Sequence, residues 1–284
     1  MMTFRALLTK ELRLRLRSER TVWVLVVYVI LMGLLGWLVV QSNSNSTSSV
    51  APGLLVYIFL SLLQTFLVVF TAPAYTATAI NGEKERQTFD LLLCSRLTGF
   101  SLVLGKLTAG LINSLLLIAV VIPVFSLVFF FGGISLLDFL GAITVYFATA
   151  LLVSAVGLFF STLTRRPALS TVVTYITCMF WIAFPLWALF VWYAVTHQAP
   201  SSEQIRLLSI WNPFGAMLST YPGTLTNNFW SSVWPIPSWL VYVLVNICVT
   251  MLLVLWSASV VRPRSYRREP QRSASKASSE RVVA

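Results

Sequence analysis

Six long apolar runs, at 21–40, 54–80, 102–131, 136–163, 168–196 and 238–261, constrain this chain more than anything else in it, because none carries an ionisable residue near its centre. A stretch of roughly 20 apolar residues is the length at which a helix crosses the hydrocarbon core of a bilayer. Within that core every backbone N–H and C=O must find its partner inside the chain, so a spanning run has to be helical. Only 10% of the 284 residues are charged and 57% are hydrophobic, against roughly 25% charged in soluble domains. The sequence therefore predicts an all-α polytopic membrane protein of six transmembrane helices. One membrane domain fills 1–261, and a basic, serine-rich, disordered tail follows over 262–284.

The connections carry further expectations. Before the first span, Arg5, Lys10, Arg13, Arg15, Arg17 and Arg20 alternate with leucines, as in a segment lying along a membrane surface. Trp23, Tyr28 and Trp37 flank that span as interfacial anchors. Pro73 removes a backbone donor and predicts a kink near the end of the second span. Ala150, Ser154, Gly157 and Ser161 line one face of the fourth span, a pattern of close helix packing. The fifth span is hydroxyl-rich in its first half and aromatic in its second. The segment 198–237, apolar but broken by Pro213, Pro222, Pro235 and several glycines, predicts short re-entrant or interfacial helices rather than a further crossing. All of the 20 Lys and Arg residues except Arg206 fall on one side of this arrangement. Basic residues mark the cytoplasmic side, so both termini are expected there.

Several function classes find no support. The net charge of +11 sits beside apolar spans and matches attraction to anionic lipid, not to nucleic acid. No paired carboxylates, nucleophile with a base, or histidine cluster can be assembled, so no catalysis is expected. Cys94, Cys178 and Cys248 lack metal-ligand spacing and suggest no disulfide framework. His197 falls at the edge of a span, as an interfacial polar residue does. Gly99 and Gly105-Lys106 do not make a phosphate-binding loop, since five residues separate the glycines and Leu107 follows the lysine. No ionisable residue lies near mid-membrane, Asp138 at the end of a span being the closest, which weakens an ion-coupled mechanism.

The charged interruption at 82–106 is the exception to the apolar background. It holds Glu83, Lys84, Glu85, Arg86, Asp90, Arg96 and Lys106. If 88–97 is helical, Phe89, Leu92, Leu93 and Leu97 share one face and the charges lie outside it. Such a face can dock in a partner's groove while the charges set its register.

The run from Glu83 through Lys84, Glu85, Arg86, Gln87, Thr88, Phe89, Asp90, Leu91, Leu92 and Leu93, with Gly105-Lys106 after it, resembles the cytoplasmic loop of type-2 ABC exporter permeases. Gln87 stands where that pattern has glycine and Arg96 where it has proline. Lys10-Glu11-Leu12 is similar to the family's N-terminal interfacial helix, and six spans with both ends inside match its layout.

The resemblance implies a permease subunit of an exporter in a cell membrane, of the bacterial inner-membrane kind. Separate ABC ATPase subunits would bind ATP and Mg, with no cofactor in this chain. A second permease half, identical or not, would complete the assembly. Glu83, Lys84, Glu85, Arg86, Thr88, Phe89, Asp90, Leu92 and Leu93 would form the coupling helix. Gln64, Thr65 and Tyr75 on the second span, with Thr171, Thr174, Tyr175 and Trp181 on the fifth, would line the path. From the residues alone, an ion-coupled or facilitative transporter and a non-transporting membrane scaffold remain alternatives.

Overall fold

In the computed structural model the described residues are 19–44, 52–85, 99–130, 134–201, 204–205, 207, 210–221, 228–230 and 234–261. Helix α1 covers Glu19–Ser44, α2 Pro52–Thr76, and the short α3 Asn81–Glu85. Then come α4 at Gly99–Phe130, α5 at Leu136–Leu163, α6 at Pro167–Thr196, the short α7 at Pro213–Leu218 and α8 at Ser238–Val260. Among the described residues five helical stretches are long and apolar enough to cross a membrane: Leu54–Glu85, Gly99–Phe125, Leu136–Leu163, Pro167–Thr196 and Ser238–Val260. The apolar helix Val26–Leu38, within α1, is shorter. The protein is a multi-pass membrane protein.

Helix ends follow local chemistry. Ser135 and Asp138 form a capping box at the start of α5: the Asp138 N–H donates to Ser135 Oγ at 3.2 Å, and the Ser135 N–H donates to Asp138 Oδ2 at 2.9 Å. Two orphan donors of the first turn are thereby satisfied, which accounts for an acidic residue at the edge of an apolar run. Pro167 opens α6 at its first helical position, where a missing N–H costs nothing. His197 closes α6 in the left-handed conformation, φ 53°, with its N–H donating to Tyr193 O at 2.9 Å.

Helix α5 is the centre of the bundle, packing against α2, α4, α6 and α8. The core includes Tyr57, Leu60, Phe125, Val145, Tyr146, Leu158 and Tyr242. Two hydroxyl pairs tie elements across it, Tyr57 Oη with Thr220 Oγ1 and Thr149 Oγ1 with Tyr242 Oη, each at 2.8 Å. Helix α6 lies at the edge, packed on α5 and α2, with Ile176, Phe180, Trp187 and Phe190 exposed.

The segment 198–237 departs from the expectation of short helices alone. Its described part holds α7 and a two-stranded antiparallel hairpin, β1 at Asn228–Trp230 and β2 at Trp234–Pro237. Pro235 and Pro237, two residues apart, each remove a backbone donor and disfavour a helix here, while bulky aromatics favour extended backbone. Asn212 accepts from the Phe214 N–H at 2.9 Å and caps α7, which then packs on α2, α5 and α8.

Candidate functional site

The charged segment begins where α2 stops. Pro73 lies inside the last turn of α2, and the chain turns through residues 77–80 into α3. The junction is fastened at Thr76, which is fully buried and wedged between α4 and α5. A methyl group on Gly110 of α4 or on Gly157 of α5 would collide with the Thr76 side chain. Gly157 thus belongs to the small-residue face predicted for this helix, and the face is turned onto α2.

One turn further along α5, Ser161 is buried against the start of α3. Its hydroxyl accepts from the Ile80 N–H at 2.9 Å and the Asn81 N–H at 3.1 Å, and donates to Asn81 Oδ1 at 3.1 Å. The Asn81 amide nitrogen donates to Thr164 Oγ1 at 3.2 Å. Backbone donors at the start of a helix have no partner within it. Here a side chain from another helix satisfies them.

The opposite exchange also occurs. Lys84 Nζ donates to Thr162 O at 2.9 Å, near the C-terminus of α5, whose own last turn has no basic residue. A cation there complements the negative end of the helix dipole. Glu83 pairs with Lys106 of α4 at 2.6 Å, both side chains largely shielded at 23% and 11% exposure. Glu85 is exposed. The first residues of the segment are therefore anchored on α5 and α4, while Arg86, Thr88, Phe89, Asp90, Leu92 and Leu93 lie outside the described residues.

The residues proposed for a path fall on α2 and α6. Gln64 and Thr65 are buried inside the bundle, and Thr174 is fully buried on α6. Thr65, Thr171 and Thr174 each donate to a carbonyl one turn back in their own helix, at 2.8, 3.0 and 2.7 Å. Their hydroxyl protons are spent on backbone rather than offered to a cavity. Tyr175 bridges the two helices, donating to Phe70 O at 2.8 Å with its ring 6.1 Å from that of Phe70. Tyr75 is exposed at the α3 end of α2. Trp181 packs on the core and lines an apolar cleft of about 200 Å³ bounded by α5, α6, α8 and Ile210–Trp211. The structure thus joins α2 to α6 through Tyr175 without gathering all seven residues on one surface.

Asn81, Ser161, Thr162 and Thr164 were not singled out as site residues by the sequence. Ser161 was visible as the last small residue of a packing face. Nothing in its spacing said that its hydroxyl would cap another helix, because the partner is 80 residues away. The significance of Gly105-Lys106 was legible only as a pattern, and its geometry supplies the reason: Lys106 holds Glu83.

No curated protein matches the chain closely enough to be counted a relative. Over residues 5–262, nearly its whole length and all of the helices just described, the sequence matches the family described as ABC-2 family transporter protein, and the chain belongs to that family.

Proposed function

We propose that the chain is the membrane-spanning subunit of an ABC exporter, moving its substrate at the expense of ATP hydrolysed by a separate ATPase subunit. The observation that carries this reading is the family match over 5–262, which takes in both the apolar helices and the charged segment between α2 and α4. In this reading α1 completes six crossings, and both termini and α3 face the cytoplasm, as the distribution of Lys and Arg requires. ATP and Mg are bound by the partner. The chain is not itself an enzyme, and two permease halves, identical or different, make up the membrane unit within a shell of lipid. The path lies between the α2 and α6 helices of the two halves. Tyr175, at the contact of those two helices, suits a hydrophobic or amphipathic substrate.

The segment that begins at α3 is the contact that receives motion from the ATPase. Its first turn is built for this, since Lys84 and Glu83 are fixed on α5 and α4 while Glu85 is left exposed. The test is purification of the tagged chain from its native membrane, followed by reconstitution in liposomes. An ABC ATPase is expected to co-purify, and transport is expected to need ATP. Transport by the chain alone under an ion gradient, or no association with any ATPase, would overturn the reading.

A further inference from the structure

The chain continues directly from α2 into the charged segment, so α2 is the obvious receiver of any force applied there. The hydrogen bonds point to a different receiver. Ser161 of α5 satisfies the backbone donors of Ile80 and Asn81 at the start of α3, and Asn81 returns the contact through both ends of its amide, to Ser161 and to Thr164. Lys84 of α3 in turn satisfies a terminal carbonyl of α5 at Thr162. Each of these two elements caps the other.

Asn81 and Ser161 are fully buried, and Lys84 and Thr164 at the edge of the contact are half-buried. A buried polar pair is strong because the alternative is to leave its groups without any partner. Separating α3 from α5 would strand two backbone donors, a side-chain amide and a carbonyl together. Thr76, wedged between Gly110 and Gly157 just before the turn, adds a steric stop on the same side. No comparable set of hydrogen bonds ties α3 to α6 among the described residues; α6 packs on α5 and α2 and follows α5 through the exposed Arg165–Arg166 elbow.

We infer that Asn81, Ser161 and Lys84 form a transmission clasp that makes α3 and α5 move as one body. Displacement of the charged segment by the ATPase is then delivered to the central helix of the bundle, and through it to α8, with α4 reached also directly by the Glu83–Lys106 pair, rather than being dissipated in the turn after α2. Asn81 and Lys84 are positioning residues: they touch no substrate and act through α5. The inference rests on the reading of the charged segment as the ATPase contact.

The experiment uses the complete complex with its ATPase in lipid nanodiscs for hydrolysis and in liposomes for transport. Asn81→Ala and Ser161→Ala are each expected to assemble and to keep basal ATP hydrolysis, whereas Lys84→Ala, in the ATPase contact itself, is read only by the ratio of transport to hydrolysis. Substrate moved per ATP hydrolysed should fall by at least about fivefold, the lower end of ordinary coupling between sites. Lys84→Arg, which keeps a charged donor, should restore the ratio, a recovery that lost stability alone does not predict. A second measurement does not depend on weakening the fold. Spin labels at Gly82 of α3, where an added side chain meets open space, and at the exposed Leu163 of α5, in a chain whose native cysteines are replaced, should report the same separation in nucleotide-free and nucleotide-bound complexes. Normal coupling in Asn81→Ala and Ser161→Ala, or a label separation that changes with nucleotide, overturns the clasp and leaves the exporter reading intact. Failure of the wild-type chain to associate with any ATPase overturns both.

Discussion

At the scale of single residues, the junction after α2 depends on two hydrogen atoms, those that Gly110 and Gly157 carry in place of a side chain. Thr76 fills the space between them, with its methyl toward Gly110 and its hydroxyl toward Gly157. Overpacking a tight contact costs roughly 1–3 kcal/mol. Gly110→Ala is expected to lower stability by that order, read as a fall in the melting temperature of the detergent-purified protein. Adding Thr76→Ala, which removes the colliding methyl, should recover most of the loss. Gly157→Ala should recover less under the same second change, because the backbone nitrogen of Ala77 also lies 3.2 Å from the new methyl group. If the two double variants respond alike, the geometry assigned to this junction is wrong. The same scale explains why Asp138 is harmless at the end of an apolar run. Its carboxylate is engaged by the Ser135 N–H and hydroxyl at 2.9 and 2.7 Å and needs no buried counter-ion.

At the scale of elements, the short α7 does more than its six residues suggest. Asn212 caps it, and the same side chain donates to Ile182 O on α6 at 3.3 Å, one turn before Pro185. At the other end of α7, Thr220 pairs with Tyr57 of α2. One short element therefore holds α2 and α6 together at the end of the bundle away from α3. Loss of an N-cap costs about 1 kcal/mol. Asn212→Ala should accordingly accelerate amide exchange at Phe214 and neighbouring residues with little change in α5, measured by hydrogen exchange in detergent. Unchanged exchange at Phe214 would mean that the cap contributes nothing. The helices were legible to within a few residues: α5 begins and ends where its apolar run does, and α4 and α6 start three and one residues before the positions expected. The paired strands at 228–230 and 234–237 were not. Their Trp and Phe content reads as an interfacial helix or as a strand with equal ease, and only the pairing of Asn228 with Pro237 and of Trp230 with Trp234 separates the two.

At the scale of the whole molecule, the distribution of basic residues gives a topology that can be checked directly. Gln198 lies just past α6 and Arg166 just before it, both exposed. In a cysteine-free chain, Gln198→Cys should react with a membrane-impermeant thiol reagent on intact cells, and Arg166→Cys only after the membrane is opened. The reverse pattern would place the charged segment outside, beyond reach of any cytoplasmic ATPase. The sequence alone determined that the chain lives in a membrane, where its helices run and which family the charged loop resembles. All of these follow from one-dimensional facts: the length of apolar runs and a local motif. What only the tertiary structure decided is which helix stands in the middle. The most apolar stretches of α5 and α6 are alike in length and hydropathy, yet 61% of the α5 stretch is buried and only 11% of the α6 stretch. In water a helix shows its inward face by what is apolar. In a bilayer lipid tails are as apolar as leucine, so hydropathy carries no such signal. The centre is fixed instead by small residues and by hydrogen bonds between distant positions, such as Gly157 against Thr76 and Ser161 against Asn81, and these exist only once the chain has folded.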